Sequence, residues 1–294
     1  ISSNHQGSKK KFLELINQAY DNGADLVKIQ TYEPEDITFN NKNKFYVKEG
    51  LWKGENLWEL YKKAHTPFSW HYDAFKVAKK RRKILFSTPF SLRSLNFLKK
   101  FKPPIYKISS FEITDINLIY KIAKTKKPII LSTGASNLKE IEDAVKVIRK
   151  IHNKIILLHC VSNYPTPVEG ANIQRIEFLK KKFKNCLIGL SDHSQNISSS
   201  LCATAIGVVA IEKHVKLKET SKSEDSDFSI SMKNLKMLKK ISNEVFLSKG
   251  STNYSKKVNP MELKTRIYRR SIYASKLIKK GELFSKKNIK TLRP

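Results

Sequence analysis

Ala24-Asp25-Leu26-Val27-Lys28-Ile29-Gln30-Thr31 is the stretch on which the fold turns. Short, aliphatic and bounded by Gly23, it reads as a buried strand. A helical pattern at 9–20 precedes it. The unit then recurs. Strands at 84–87, 105–108, 128–132, 155–159, 187–190 and 208–212 alternate with helical patterns at 72–82, 92–101, 116–125, 138–151, 173–183 and 197–206. Strand, helix and strand repeated in this way imply a parallel sheet. Seven strands are legible. An eighth, expected upstream of Ile1 and counted as the first, would close an α/β (β/α)8 TIM barrel. The alternative is an open doubly wound sheet, against which counts the lack of a Gly-rich nucleotide loop after any early strand.

Residues 32–70 interrupt the repeat and are rich in aromatics, including Tyr32, Phe39, Trp52, Trp58, Tyr61 and Trp70. So long an insertion after a barrel strand reads as a substrate loop on the catalytic face, or as an excursion with its own small core. One more amphipathic helix is expected at 232–246. The polar stretch 248–264, with Gly250 and Pro260, reads as a linker. The expected organisation is a barrel over 1–247, that linker, and a small β-rich module over 265–294, too short to fold alone. The chain opens at Ile1 without an initiator Met and is read as a fragment truncated at both ends.

The 294 residues carry 57 Lys plus Arg against 26 Asp plus Glu, a net charge of +31. Such a balance raises a nucleic-acid or anionic-membrane partner. The basic residues are dispersed rather than striped, which favours solvated helix faces and an anionic substrate. The densest run, Lys79-Lys80-Arg81-Arg82-Lys83, falls where a helix should end and cations complement its dipole. No apolar stretch approaches the ~20 residues of a membrane span. Three widely spaced cysteines, Cys160, Cys186 and Cys202, argue against a disulfide framework and fit a cytoplasmic setting.

Polar residues gather where the strands end. These ends carry Lys28 and Gln30, Ser87 and Thr88, Lys107 with Ser110 and Glu112, Ser132 with Gly134, Ser162 and Tyr164, Ser191 with His193, and Glu212 with His214. In a barrel the C-terminal strand ends build the active site. Two lysines and several hydroxyls on one rim suit an oxyanion such as phosphate. Two histidines on adjacent strands suit a divalent metal that keeps open positions. A buried barrel lysine also admits a Schiff-base reading, which the histidine pair argues against.

At this point the chain resembles the sialic acid synthase family. Asn4-His5-Gln6-Gly7-Ser8 and Gly23 to Thr31 are similar to the opening of those enzymes. Tyr106 to Ser110, Leu131 to Gly134, Tyr164 to Pro167, Gly189 to Ser194 and Ile211 to His214 continue the match in order. Arg270 to Glu282 resembles the start of their antifreeze-like (SAF) domain. Gly50-Leu51-Trp52, Leu57 to Tyr61 and Ser223-Glu224-Asp225-Ser226 resemble the pseudaminic branch, with the N-acetylneuraminate and legionaminate branches as alternatives.

The resemblance implies a condensation of phosphoenolpyruvate (PEP) with an open-chain 2,4-diacetamido-2,4,6-trideoxy-altrose. It implies Lys28, Lys107, Ser110, Ser132, Ser162 and Ser191 on PEP. Gln30, Glu112, Tyr164 and Asp225 would face the sugar, with Lys107, Glu112 and Tyr164 also catalytic. His193 and His214 would hold Mn2+, Mg2+ or Co2+. Arg293 would be lent to the partner subunit of a domain-swapped homodimer. Neither nucleic acid nor membrane is implied. Two departures stand out: the family's acidic residue before Asn4-His5 would lie upstream of Ile1, and Ser162 stands where sialic acid synthases usually carry Asn.

Overall fold

The computed structural model describes residues 1–41, 43–250 and 258–294. They form two compact units, Ile1–Lys249 and Gly250–Pro294. In the first, seven strands make one sheet: β1 Leu26–Thr31, β2 Ile84–Pro89, β3 Tyr106–Ile108, β4 Ile129–Ser132, β5 Ile155–Cys160, β6 Leu187–Asp192 and β7 Ile211–Lys213. Each pairs in parallel with the next, in chain order. Helix α1 Lys9–Asp21 precedes β1, and between the strands lie α2 Leu57–Ala64, α3 Phe68–Lys80, α4 Leu92–Lys99, α5 Ile116–Ala123, α6 Leu138–Arg149, α7 Arg175–Lys182 and α8 Ser198–Ala205.

Laid flat, seven strands at ~4.8 Å spacing would hold β1 and β7 about 29 Å apart. Instead Lys28 Nζ on β1 lies 2.7 Å from Glu212 Oε1 on β7. The sheet is therefore curled, and the open doubly wound alternative is excluded. Closure is only partial among the described residues, because β1 and β7 do not pair. A cavity of about 360 Å³ runs between these edges, lined by Lys28, Gln30, Glu212 and His214 above and by Val27, Phe86, Leu158 and Ile211 below.

Strand side chains alternate between faces, so residues two apart stack inside the curl. Phe86, Ile130 and Leu158 form a buried apolar plug with Ile105, Ile156 and Ala210 against it. Two positions on, each strand turns polar: Thr88, Ser132, Cys160 and Glu212. Gly189 belongs to this plug. A Cβ there would stand 2.5 Å from Leu158 Cδ2 and 2.6 Å from the Ala210 carbonyl, so only glycine fits. Outside the sheet, Leu95, Leu118, Ile119, Ile141, Ile148 and Ile176 cover β3 to β6, while Phe12, Leu15, Ile16, Ala74 and Leu238 cover β1 and β2. Each buried Leu, Ile or Phe contributes roughly 1.5–3 kcal/mol.

The insertion after β1 was expected as a substrate loop or as an excursion with its own small core. It holds α2, whose N-cap Asn56 accepts from the Trp58 and Glu59 amides. Helix α3 begins at Phe68, earlier than the expected 72, because Pro67 sets the chain for a helix start. After β7, β8 (Val215–Lys216) pairs in parallel with β9 (Ile230–Ser231), and α9 (Met232–Ser248) closes the unit. Residues 251–257, within the polar stretch 248–264 expected as a linker, lie outside the described residues. In the second unit, β10 (Ser271–Ala274) and β11 (Ile289–Leu292) form an antiparallel pair.

Candidate active site

The polar layer above the plug is one connected cluster. Glu212 Oε1 accepts from Lys28 Nζ at 2.7 Å, Lys107 Nζ at 3.2 Å and Ser191 Oγ at 3.2 Å. Lys107 also donates to Ser132 Oγ at 2.7 Å. Lys107 is only 1 % exposed. Its burial lowers its pKa to about 8, against the pull of Glu212 and with the push of Lys28. Burial would raise the Glu212 carboxyl, but Lys107 and Lys28 outweigh it and hold it well below the carboxylate range. Two ammonium groups share one carboxylate, so the layer keeps an excess positive charge in a place of low dielectric. That arrangement attracts an anion.

Hydroxyls and amides gather beside it. The Gly134 amide donates to Ser110 Oγ at 3.1 Å, and Ser110 Oγ contacts Cys160 Sγ at 3.5 Å. A Cβ on Gly134 would meet Ser162 Oγ at 2.2 Å and Ser110 Oγ at 2.7 Å, so glycine is what lets these groups converge. Burial pushes the Cys160 thiol up, but His193, Ser110 and Lys107 outweigh it and bring it to about 7. Thr88 is buried and its hydroxyl has no partner among the described residues. A buried unpaired hydroxyl costs about 1–3 kcal/mol, which a ligand oxygen would recover.

Across the layer, the rings of His193 and His214 lie 5.4 Å apart. His193 Nδ1 is 3.0 Å from the Val161 carbonyl, and His214 Nδ1 is 3.0 Å from Ser2 Oγ. With Nδ1 engaged, each Nε2 is left as a possible metal donor. Burial, then His193 and Lys28, lower His214 well below the imidazole range and keep it neutral, as a ligand must be. No group of three or more His, Cys, Asp or Glu side chains among the described residues forms a complete metal shell. What the site could offer an ion is this pair of imidazoles.

The remaining expected residues divide by place. Asp225 is half-buried, accepts from the Ser3 amide at 3.2 Å and from Ser2 Oγ, and lies 3.9 Å from His214 Nδ1. Burial raises its pKa, with Ser2 and Ser3 opposing. The Tyr164 ring packs, tilted, 4.4 Å from the His193 ring. Glu112 accepts from Ser109 Oγ, and burial raises its pKa despite Ser109 and Lys107. Gln30 lines the cavity beside Lys28. Arg293 follows β11 in the second unit.

Sequence reasoning placed Glu212, Thr88 and Gly134 at strand ends but gave them no role. The period of two was the available signal: Glu212 precedes His214 by two, and Thr88 follows Phe86 by two. The same period sends Asp192 and Lys213 to the outer face. There Lys213 Nζ lies 3.0 Å from Asp192 Oδ2, and Ser200 Oγ of α8 donates to the same carboxylate at 2.6 Å.

Residues 15–254 match the NeuB family. The chain is 42% identical over 298 residues to a pseudaminic acid synthase of Campylobacter jejuni, covering 100% of the chain and 85% of that protein. It is 38% identical to an N,N'-diacetyllegionaminic acid synthase of the same species, covering 99% and 88%. Among solved structures, an N-acetylneuraminic acid synthetase of Leptospira borgpetersenii in complex with citrate superimposes with a TM-score of 0.80 at 31% identity, covering 91% of the chain and 88% of that structure.

Proposed function

The chain belongs to the NeuB family, and from that membership we propose that it catalyses the pseudaminic acid synthase reaction. PEP, water and 2,4-diacetamido-2,4,6-trideoxy-β-L-altropyranose in its open-chain form give pseudaminic acid and phosphate. The PEP methylene carbon forms a bond to the sugar aldehyde carbon, whose oxygen takes up a proton. Water adds to C2 of PEP, and the C2–O bond breaks to release phosphate.

The observation that carries this reading is the Lys28–Glu212–Lys107 cluster, ringed by Ser132 and Ser191. It offers a preorganised positive site for a carboxylate or phosphate whose charge grows as the C–O bond breaks. Ser110, Ser162 and the Gly134 amide add short donors. Lys28 and Lys107 both engage Glu212, which favours anion binding over a Schiff-base role. His193 and His214 would hold the divalent ion, Mn2+, Mg2+ or Co2+. When bound, such an ion polarises an aldehyde oxygen. Gln30, Glu112, Tyr164 and Asp225 would face the sugar, and Glu112 or Tyr164 would handle a proton.

We further assign residues 265–294 to the N-terminal part of an antifreeze-like domain. Arg293, just past β11, would reach the partner subunit's site in a domain-swapped homodimer. No helix among the described residues is long and apolar enough to cross a membrane.

The test is phosphate release from PEP with Mn2+ and each of three sugars: the altrose diacetamide, its legionaminate-branch counterpart, and N-acetylmannosamine. Release with the first alone supports the reading. Release with another sugar moves the substrate within the family. Release with none overturns it.

A further inference from the structure

Three loops far apart in the chain meet through aromatic rings beside the histidine pair. Phe228 packs 4.9 Å from the His214 ring and 4.9 Å from Tyr164. Tyr164 lies 4.4 Å from His193. Over both sits Trp52, from the insertion after β1, at 5.6 Å from Tyr164 and edge-on to Phe228 at 5.9 Å. Its indole N–H donates to the Glu224 carbonyl at 2.9 Å. That bond locks the ring against the segment carrying Asp225. Trp52 is thus a fixed apolar wall, one ring further from the histidines than Tyr164 and Phe228.

We propose that Trp52 is a specificity-determining residue for the acceptor sugar, its indole covering the methyl groups of a 6-deoxy, acetamido-bearing substrate. This rests on the functional reading above. A hydroxyl on the sixth carbon would lose water against these rings, and the one polar atom of the indole is already committed to Glu224. An unpaired hydroxyl there is penalised, while a methyl gains contact. Apolar pockets reject an added hydroxyl by no more than about 100-fold, which bounds the effect.

The test compares kcat/KM for the altrose diacetamide and its 6-hydroxy counterpart in wild type, Trp52→Ala and Trp52→Phe, using the full chain. PEP KM and the melting temperature are measured alongside. Wild type should prefer the 6-deoxy sugar. Trp52→Ala should shrink that preference about tenfold or more with PEP KM unchanged, and Trp52→Phe, which keeps a ring, should retain most of it. An equal loss for both sugars in Trp52→Ala, or a Trp52→Phe variant that falls as far, overturns the proposal and leaves Trp52 as a loop anchor. A wild-type enzyme that releases phosphate with neither sugar overturns the functional reading itself. One that turns over both without preference overturns only the role of Trp52.

Discussion

Lys213 and Asp192 form a buried ion pair, 3.0 Å from Nζ to Oδ2, on the outer face of the sheet at the level where His193 and His214 lie. Asp192 also accepts from the Ser194 amide at 2.8 Å and from Ser200 Oγ, while Lys213 donates to the Ser194 carbonyl at 2.5 Å. The pair fastens β6, β7 and α8 together behind both histidines.

Breaking this pair should be costly. Lys213→Met leaves Asp192 buried and uncompensated, which predicts a loss of about 3–5 kcal/mol in denaturant unfolding. Asp192→Asn combined with Lys213→Met removes both charges and should recover most of that loss. A single variant as stable as wild type would show that the pair carries no net weight.

Lys107 supplies a pH dependence. Its pKa of about 8 means that the ammonium, the form that binds an anion, is lost as pH rises through that value. The kcat/KM for PEP should therefore fall on the alkaline side of about pH 8. Glu212→Gln removes the carboxylate that supports the ammonium, so the alkaline limb should move down by about one pH unit, ~1.4 kcal/mol. An unmoved limb would mean that a different group titrates.

Gly134→Ala tests the cradle. The new Cβ displaces the hydroxyls of Ser110 and Ser162, which can rotate away, so the fold should survive. PEP KM should rise by about tenfold or more, in line with one or two lost hydrogen bonds, and sugar KM should change little. Isothermal titration with PEP reads the same effect. Unaltered PEP binding would remove Ser110 and Ser162 from its site.

The histidine pair predicts a metal requirement. Chelation should stop phosphate release, and added Mn2+ should restore it. His193→Ala should weaken Mn2+ binding, read by titration calorimetry, by at least tenfold while its melting temperature without metal stays near that of wild type. Full activity in excess chelator, with borohydride trapping of a lysine, would favour the Schiff-base chemistry instead.

Much of this protein is written locally. The β1 stretch ends in Lys28 and Gln30, and the recurring strand and helix units put Lys107, Ser132, Ser191, His193 and His214 at strand ends in the expected order. Strand and helix periods need only neighbouring residues, so they survive in the sequence. Helix α2 escaped because the aromatic content of the insertion masked its Asn56 cap.

The tertiary structure alone decided what meets across the curl. Lys28 and Glu212 are 184 positions apart and touch at 2.7 Å because six strand pairings bend one edge toward the other. Periodicity places Glu212 on the inner face but cannot name its partners. Nor could any pattern in the insertion bring Trp52 to Tyr164 and Phe228. Such contacts follow from chain closure, in which each local unit contributes a small turn and only their sum brings the distant groups together.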